Sequence, residues 1–165
     1  MPSIDLFLFE EDHQALQRSV QVLLRESEAN AVFLIDKNGQ QLAAAGEYDD
    51  IDTTALATLT AGNVAATDGL AKLLGEQGFT ILFHEGQKDN IHISIVGELA
   101  ILVVIFDQRT SVGLVRLRVK QGSPVLEKIL TAAVQRRDEK KQTVVKEGKS
   151  RLADITDEDI ENLFK

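Results

Sequence analysis

Eight consecutive apolar residues, Leu99 to Phe106, set the strongest constraint on the fold of this chain. The run is too short to span a bilayer, which takes about 20 apolar residues. It ends at Asp107 and predicts a strand that is buried on both faces. Such a strand needs a neighbour on each side, so the sequence predicts a sheet with this strand near its middle.

The first hairpin lies upstream of this run. Residues 31–36 and 41–47 are strand-like and flank Asn38-Gly39. This pair favours a tight turn between antiparallel strands, because both residues tolerate positive φ angles.

A second hairpin is predicted from residues 79–85 and 91–96, on either side of the loop 86–90. Pairing about Lys88 sets Phe83 opposite Ile93 and His84 opposite His92, with apolar residues facing each other. Zinc needs three or four ligands and no third is placed nearby, so we expect a solvated or lightly hydrogen-bonded pair of histidines. A small-molecule sensor using this histidine face is the weakest functional hypothesis.

Three helices are predicted around these strands. Residues 10–28 carry one apolar stripe, and a long helix runs from Thr53 to Leu74 with Asp52 as N-cap and Gly75 as the residue that ends it. After Ser111 the pattern at 114–119 fits a strand as well as a helix, and Gly122-Ser123-Pro124 is expected to kink or interrupt a helix there. The residues alone leave that choice open.

The predicted order is helix, two strands, helix, three strands, helix. It indicates an α+β domain over residues 1–135, with one mainly antiparallel five-stranded sheet and helices on its faces. Residues 136–151 carry seven bases and three acids, and residues 152–165 carry one base and five acids. We interpret the first segment as a basic flexible linker and the second as a C-terminal amphipathic helix.

The composition excludes several kinds of chemistry. The chain has no Cys, which removes disulfides, thiol nucleophiles and thiolate metal sites. A net charge of −8 argues against binding to nucleic acid or anionic lipid. No phosphate-binding loop, dinucleotide fingerprint or hydrolase motif is present. We expect no cofactor, no metal and no catalytic residue, and the N-terminus, which lacks signal-peptide features, favours the cytoplasm.

The long second helix offers a different kind of feature. Thr54, Thr58, Ala61, Ala65 and Gly69 fall along one side of it. A strip of small side chains lets another backbone approach closely, which bulky side chains would prevent. The strip therefore predicts either tight packing within the domain or a contact surface for a partner.

Several stretches are similar to those of the Roadblock family. They are Phe33-Leu34-Ile35-Asp36-Lys37-Asn38-Gly39, Leu59-Thr60-Ala61-Gly62-Asn63-Val64-Ala65-Ala66, Gly69-Leu70-Ala71-Lys72-Leu73-Leu74-Gly75-Glu76, Arg109-Thr110-Ser111-Val112-Gly113-Leu114-Val115-Arg116-Leu117 and Asp154 to Phe164. The resemblance implies an α/β/α sandwich, a helix at 114–119, and a homodimer in which the second helices pack together and the sheets join edge to edge.

The same resemblance implies a function. The chain is expected to be a GTPase-activating protein, not itself an enzyme, whose partner is a small Ras-like GTPase of the MglA type in bacterial cell polarity and gliding motility. It implies a cytoplasmic protein concentrated at a cell pole. The family repositions the GTPase's own catalytic residues and inserts no arginine finger, so Arg109, which the sequence alone leaves as a candidate finger, is not expected to act as one.

The resemblance also places the contacts. Ala65 and Gly69 would touch the GTPase, and helical spacing adds Thr54, Thr58, Ala61, Gly62 and Lys72. The C-terminal helix would bind the GTPase through Ile155, Ile160, Leu163 and Phe164 and modulate nucleotide exchange. The alternative is a Roadblock scaffold that binds a GTPase or a motor component without activating hydrolysis.

Overall fold

The computed structural model describes residues 8–153 and 156–162. The elements follow the predicted order and are α1 (Glu10–Ser27), β1 (Ala31–Asp36), β2 (Gln41–Gly46), α2 (Thr53–Leu74), β3 (Ile81–Glu85), β4 (Asn90–Val96), β5 (Ala100–Phe106), α3 (Val112–Ala153) and α4 (Asp157–Asn162). The chain divides into two compact units, Met1–Ala133 and Val134–Lys165. The first unit contains the whole sheet.

The five strands form one antiparallel sheet in the order β2-β1-β5-β4-β3. β5 lies in the middle and is buried along its full length, which confirms the prediction from the apolar run. β2 and β3 are the two edge strands. The sheet forms the centre of the domain, and its two edge strands carry backbone N–H and C=O groups that no strand of the sheet pairs.

Two hydrophobic cores lie on opposite faces of the sheet. On one face, Val32, Leu102 and Val104 pack with Leu16 and Val20 of α1 and with residues of α3 that include Val115 and Leu126. On the other face, Phe33, Val103 and Ile105 pack with Ala57 and Val64 of α2. The domain is the α/β/α sandwich that the family resemblance implies.

The turn between β1 and β2 brings this hairpin close to α2. Gly39 has a φ of +88°, a region that side chains other than glycine adopt with strain. A Cβ atom at this position would lie 3.3 Å from the Cα of Thr58. The Asn38-Gly39 turn is therefore confirmed, and Gly39 also allows the turn to approach the α2 backbone.

The predicted register of the second hairpin is wrong by one residue. Phe83 pairs with His92, and Leu82 pairs with Ile93. The turn is shorter than expected, since Glu85 already pairs with Asn90 and the Gly86 N–H donates to Asp89 O (3.1 Å) and to Asn90 Oδ1 (3.2 Å). A slip of one residue moves every side chain to the other face.

The shifted register separates the two histidines. His92 is 1% exposed and faces the α1/α3 core, whereas His84 lies on the other face of the edge strand and is exposed. The histidine face of the sensor hypothesis is therefore not formed. Among the described residues, no group of three or more His, Asp or Glu side chains is placed to hold a metal ion.

The last long helix resolves the choice at 114–119 in favour of a helix. Ser111 caps it, because its Oγ accepts from Leu114 N–H at 3.1 Å. Pro124 lies inside the helix and does not interrupt it, contrary to the expectation from its missing N–H. No described helix is both long and apolar enough to cross a membrane.

Residues 136–151, interpreted from sequence as a linker, are helical in this structure as part of α3. The Arg, Lys, Glu and Gln residues that make this segment polar are also good helix formers. Its flexibility stays a prediction. Downstream, α4 spans Asp157–Asn162 within the segment for which an amphipathic helix is predicted.

Candidate partner-binding surface

The predicted contact residues lie on α2, and both ends of this helix are fixed by local hydrogen bonds. The Asp52 carboxylate accepts from Ala55 N–H at 3.0 Å, and Gly75 ends the helix with a φ of +74°. These contacts confirm the N-cap and the terminating glycine read from the sequence. The helix thus presents the same residues along its length of roughly 33 Å, at about 1.5 Å per residue.

The side of α2 that faces the sheet is made of small and medium-sized residues. Ala57, Thr60, Val64 and Ala71 are its buried residues. Such side chains let the helix axis lie close to the sheet, because no large side chain separates them. Most of the apolar side-chain surface of α2 therefore lies outside its contact with the sheet.

The small-residue strip is exposed along one flank of α2. At about 100° per residue, the strip lies roughly 120° around the helix from the buried side. All of the predicted contact residues on this helix are exposed except Ala61, which is half-buried against the α2 core; the exposed ones are Thr54, Thr58, Gly62, Ala65, Gly69 and Lys72. Tight packing inside the protomer therefore accounts only for Ala61 and for the Thr58 position of the strip, where the Gly39 turn approaches the α2 backbone.

The strip is smooth and carries few hydrogen-bonding groups. The Thr58 hydroxyl donates to Thr54 O at 3.0 Å, so it is satisfied within the helix. A Cβ atom added at Gly62 or Gly69 would meet nothing within 4 Å. The protomer does not need glycine at either position to fold, which leaves close approach by another molecule as a use for them.

The opposite flank of α2 carries large apolar side chains that face solvent. Leu59, Leu70, Leu73 and Leu74 are 73%, 57%, 83% and 71% exposed, respectively. A row of exposed leucines on one helix is typical of a surface that is covered by a partner. Helical spacing places these leucines on one side of α2, but it gives no sign that they point outward, since both flanks fit a helical period.

The edge strand β3 lies beyond the end of α2 in sequence and is also apolar and exposed. Ile81 is 50% exposed and Phe83 is 36% exposed. In the described part of the chain, β3 pairs only with β4, so its outer edge offers backbone groups without a strand partner. Helix α2 and strand β3 thus both present apolar surface.

Arg109 lies at the end of β5 and is held by neighbours in its own chain. Its Nε donates to both carboxylate oxygens of Asp107, at 3.1 and 3.2 Å, and its guanidinium lies 3.7 Å from Glu47. The Arg109 backbone N–H also donates to Asp107, as does Asn30 at 3.0 Å, and together these contacts lower the pKa of Asp107 to about 2. The carboxylate is therefore ionised at neutral pH and keeps Arg109 beside it.

The predicted contact residues of the C-terminal segment are only partly accessible to description. Ile155, Leu163 and Phe164 lie outside the described residues, and Ile160 is placed in the backbone of α4.

The α2 surface has the chemistry of a binding surface rather than of an active site. Its ionisable residues are Asp68 and Lys72, and both side chains are exposed on the outside of the helix. Catalytic groups usually lie in clefts, where burial and neighbouring charges change their proton affinity. Shape and apolar contact are what this helix offers.

Comparison with known proteins agrees with the fold. The Roadblock/LC7 domain matches residues 16–106. The structure of Myxococcus xanthus MglB is 52% identical over 76% of this chain and 95% of that one, with a TM-score of 0.73. The gliding protein MglB from Thermus thermophilus is 35% identical over the same shares, 76% and 95%, with a TM-score of 0.72.

A further solved structure, of MglB in a tetrameric arrangement, is 34% identical over 76% of this chain and 95% of that chain, with a TM-score of 0.73. No match is found among the curated proteins. The family match covers more than half of the chain, and the similarity to the Myxococcus structure extends over 76% of it. The chain belongs to the Roadblock/LC7 family.

Proposed function

We propose that this protein is a homodimeric GTPase-activating protein for a small Ras-like GTPase of the MglA type, and that the small-residue strip of α2 is its GTPase contact. The observation that carries the proposal is that α2 exposes two unlike flanks, one of small residues and one of leucines. Two flanks on one helix can serve two contacts at once. The likeness to the MglB structures supports a partner of the MglA type.

The leucine flank and the edge of β3 are proposed as the dimer contact. Covering a Leu side chain that is now exposed stabilises a complex by about 1.5–3 kcal/mol. Each protomer exposes four such leucines on α2, together with an edge strand that lacks a partner in the described chain. Pairing α2 with α2 and β3 with β3 would bury both, and it would place the two small-residue strips on one composite surface.

Activation by this surface requires no donated catalytic group. Phosphoryl transfer depends mainly on positioning and electrostatics, so a partner that holds a switch segment of the GTPase in its reactive arrangement accelerates hydrolysis. The binding energy of the strip would be used for that arrangement. Arg109, held by Asp107 and Glu47, is proposed to remain in its own chain.

The test is the double variant Ala65→Arg with Gly69→Arg. Both positions are exposed, so the variant is expected to fold and to form the wild-type oligomer, while two long cations prevent close approach of the GTPase. The measurement is phosphate release by the GTPase with and without the protein. The control is Gln14→Arg, which adds the same side chain at an exposed position of α1.

Loss of stimulation in the double variant and its retention in the control would support the strip as the contact. Full stimulation by a folded, dimeric double variant would refute it. The alternative function, a scaffold that binds without activating, is favoured if the wild-type protein binds the GTPase in a pull-down and leaves the rate of phosphate release unchanged.

The C-terminal segment is proposed to act separately, by modulating nucleotide exchange through Ile155, Ile160, Leu163 and Phe164. The segment is short, acidic and amphipathic in sequence, as expected for a peptide-like element. Deletion of residues 150–165 should preserve the dimer and change the rate at which the GTPase releases a fluorescent nucleotide. An unchanged rate would argue against this role.

A further inference from the structure

The two edges of the sheet are treated differently by the rest of the domain. An edge strand offers unpaired N–H and C=O groups to any other extended chain, and proteins commonly block such edges with charges, prolines, bulges or a covering element. β2 contains no charged residue and no proline. Its register shifts near Gln41, but the segment from Ala43 to Gly46 pairs regularly with β1. By sequence alone this is an unprotected edge.

A side chain of α1 engages that edge. The Gln17 Nε2 donates to Ala44 O at 2.7 Å, and the Gln17 Oε1 accepts from Ala44 N–H at 3.3 Å. One side-chain amide thus satisfies both backbone polar groups of a single strand residue, in the way that a residue of a neighbouring antiparallel strand does. The amide takes the place of a strand partner at the centre of β2.

Packing of α1 fixes the amide in this position. Gln17 is half-buried and lies between Leu16 and Val20, both of which are 0% exposed in the core beneath the helix. A side chain flanked by such anchors loses little further freedom when it forms the two hydrogen bonds. At the opposite edge, no described side chain makes a hydrogen bond of this kind to β3, whose residues are mostly exposed.

We propose that the side-chain amide of Gln17 blocks an edge of β2 to which another strand could otherwise pair. The partner that this edge fits is an extended edge strand of a second copy of the chain. Backbone pairing requires few specific side chains, and every copy carries the same β2 edge, which stays free when β3 pairs with β3. While the Gln17 amide occupies the β2 edge, the sheet can be extended only at β3. Without the amide, copies of the chain can associate through two different edges, and such an assembly grows instead of closing.

The inference does not depend on which partner α2 binds. It is tested by comparing each variant with the wild-type protein's own oligomeric state, whatever that state is. The deciding variant is Gln17→Met, which keeps the length and the apolar stem of the side chain but forms neither hydrogen bond. The matched control is Gln14→Met, on the same helix, where the amide lies 3.5 Å from Glu10 and, among the described residues, forms no hydrogen bond with a strand.

Sedimentation velocity over a range of protein concentrations measures the outcome, with circular dichroism to verify folding. We expect the mean mass of Gln17→Met to rise by about twofold or more with concentration, as one additional contact per assembly requires. Gln14→Met should sediment as the wild type does. A folded Gln17→Met variant with wild-type mass at every concentration would overturn the proposal.

A third variant separates the edge from simple loosening of α1. Gln17→Lys also lacks the paired hydrogen bonds, but it places a charge beside the edge, and charges on an edge oppose strand addition. We therefore expect Gln17→Lys to keep the wild-type mass. If it associates as strongly as Gln17→Met, the association does not proceed through the β2 edge and the proposal is wrong.

Discussion

The two glycines inside α2 allow a prediction in which stability and function change in opposite directions. Gly62 and Gly69 are exposed, their φ angles are not positive, and a Cβ atom at either site would meet nothing within 4 Å. Glycine in a helix interior costs about 0.5–1 kcal/mol relative to alanine, because it loses more backbone entropy on folding. The double variant Gly62→Ala with Gly69→Ala should therefore be more stable than the wild type by about 1–2 kcal/mol.

For a chain of this size, each kcal/mol raises the melting temperature by about 2–4 °C. We expect an increase of roughly 2–8 °C, measured by circular dichroism at one fixed protein concentration, since a dimer's stability depends on concentration. The added methyl groups lie on the proposed contact strip at Gly69 and beside it at Gly62, so stimulation of the GTPase should fall in the same variant. A close contact would then explain why glycine stands at two positions where alanine makes a more stable helix.

Gly75 provides the matched control for this prediction. A Cβ atom there would also meet nothing within 4 Å, but its φ is +74°. Left-handed backbone costs a residue with a side chain about 1–2 kcal/mol. Gly75→Ala should therefore destabilise the protein, whereas the two interior substitutions stabilise it. If Gly62→Ala with Gly69→Ala lowers the melting temperature, the glycines serve the fold of the protomer and the reasoning is refuted.

Three further predictions concern the core and the titrating groups. Burial, together with the nearby Arg116, lowers the pKa of His92 below 6.5, so the folded state binds this proton less readily than the unfolded state and stability should fall as the pH drops below about 6.5. In urea unfolding, His92→Leu should lose less unfolding free energy between about pH 7.5 and 5.5 than the wild type does. Asp107, with its pKa lowered from 3.8 to about 2, should stabilise the fold above pH 3.8 and lose this effect as the pH falls towards 2, so that the difference in melting temperature between the wild type and Asp107→Asn disappears over that window. Ala57→Leu, at a site 2% exposed beneath α2, should cost about 1–3 kcal/mol by overpacking, and equal stability in chemical denaturation would show that α2 can move away from the sheet.

The parts of the fold that follow from the sequence are those fixed by local chemistry. Eight apolar residues in a row specify a strand buried on both faces, and Asn38-Gly39 specifies a tight turn. Asp52 and Gly75 mark the two ends of α2 through hydrogen bonds made within a few residues of each. None of these signals depends on what the rest of the chain does.

The sequence predictions are wrong or undecided where the conformation of a segment depends on packing against distant parts of the chain. Apolar and polar residues alternate over 114–119 as in a strand, yet the segment is part of α3. Val115 and Val119 are buried because this side of α3 packs on the sheet. The register of β3 and β4 depends on whether Asn90 belongs to the turn or to the strand. In the structure Asn90 pairs with Glu85, and the Gly86 N–H donates to Asp89 O and to Asn90 Oδ1. Symmetry of the apolar pattern favoured the wrong choice because the isoleucines of β4 offer a good partner in either register.

The candidate surface shows the same division between local and distant causes. The strip of small residues is visible in the sequence, but its exposure follows from how α2 rests on the sheet. Ala57 and Val64 face Phe33 and its neighbours, so the buried side of the helix is filled by the sheet's own large side chains. Four leucines of α2, Leu59, Leu70, Leu73 and Leu74, are consequently left on the outer flank, where hydrophobicity alone would not have placed them.

The exposure of apolar side chains on α2 determines how this acidic protein can recognise its partner. The chain has a net charge of −8, yet α2 carries one acid and one base among its 22 residues. Long-range steering scales with charge and is screened by salt. Recognition through α2 should therefore depend on shape and on apolar burial, and the affinity for the GTPase should change little between low and high ionic strength. A steep dependence on salt would instead assign the recognition to the charged segments outside α2.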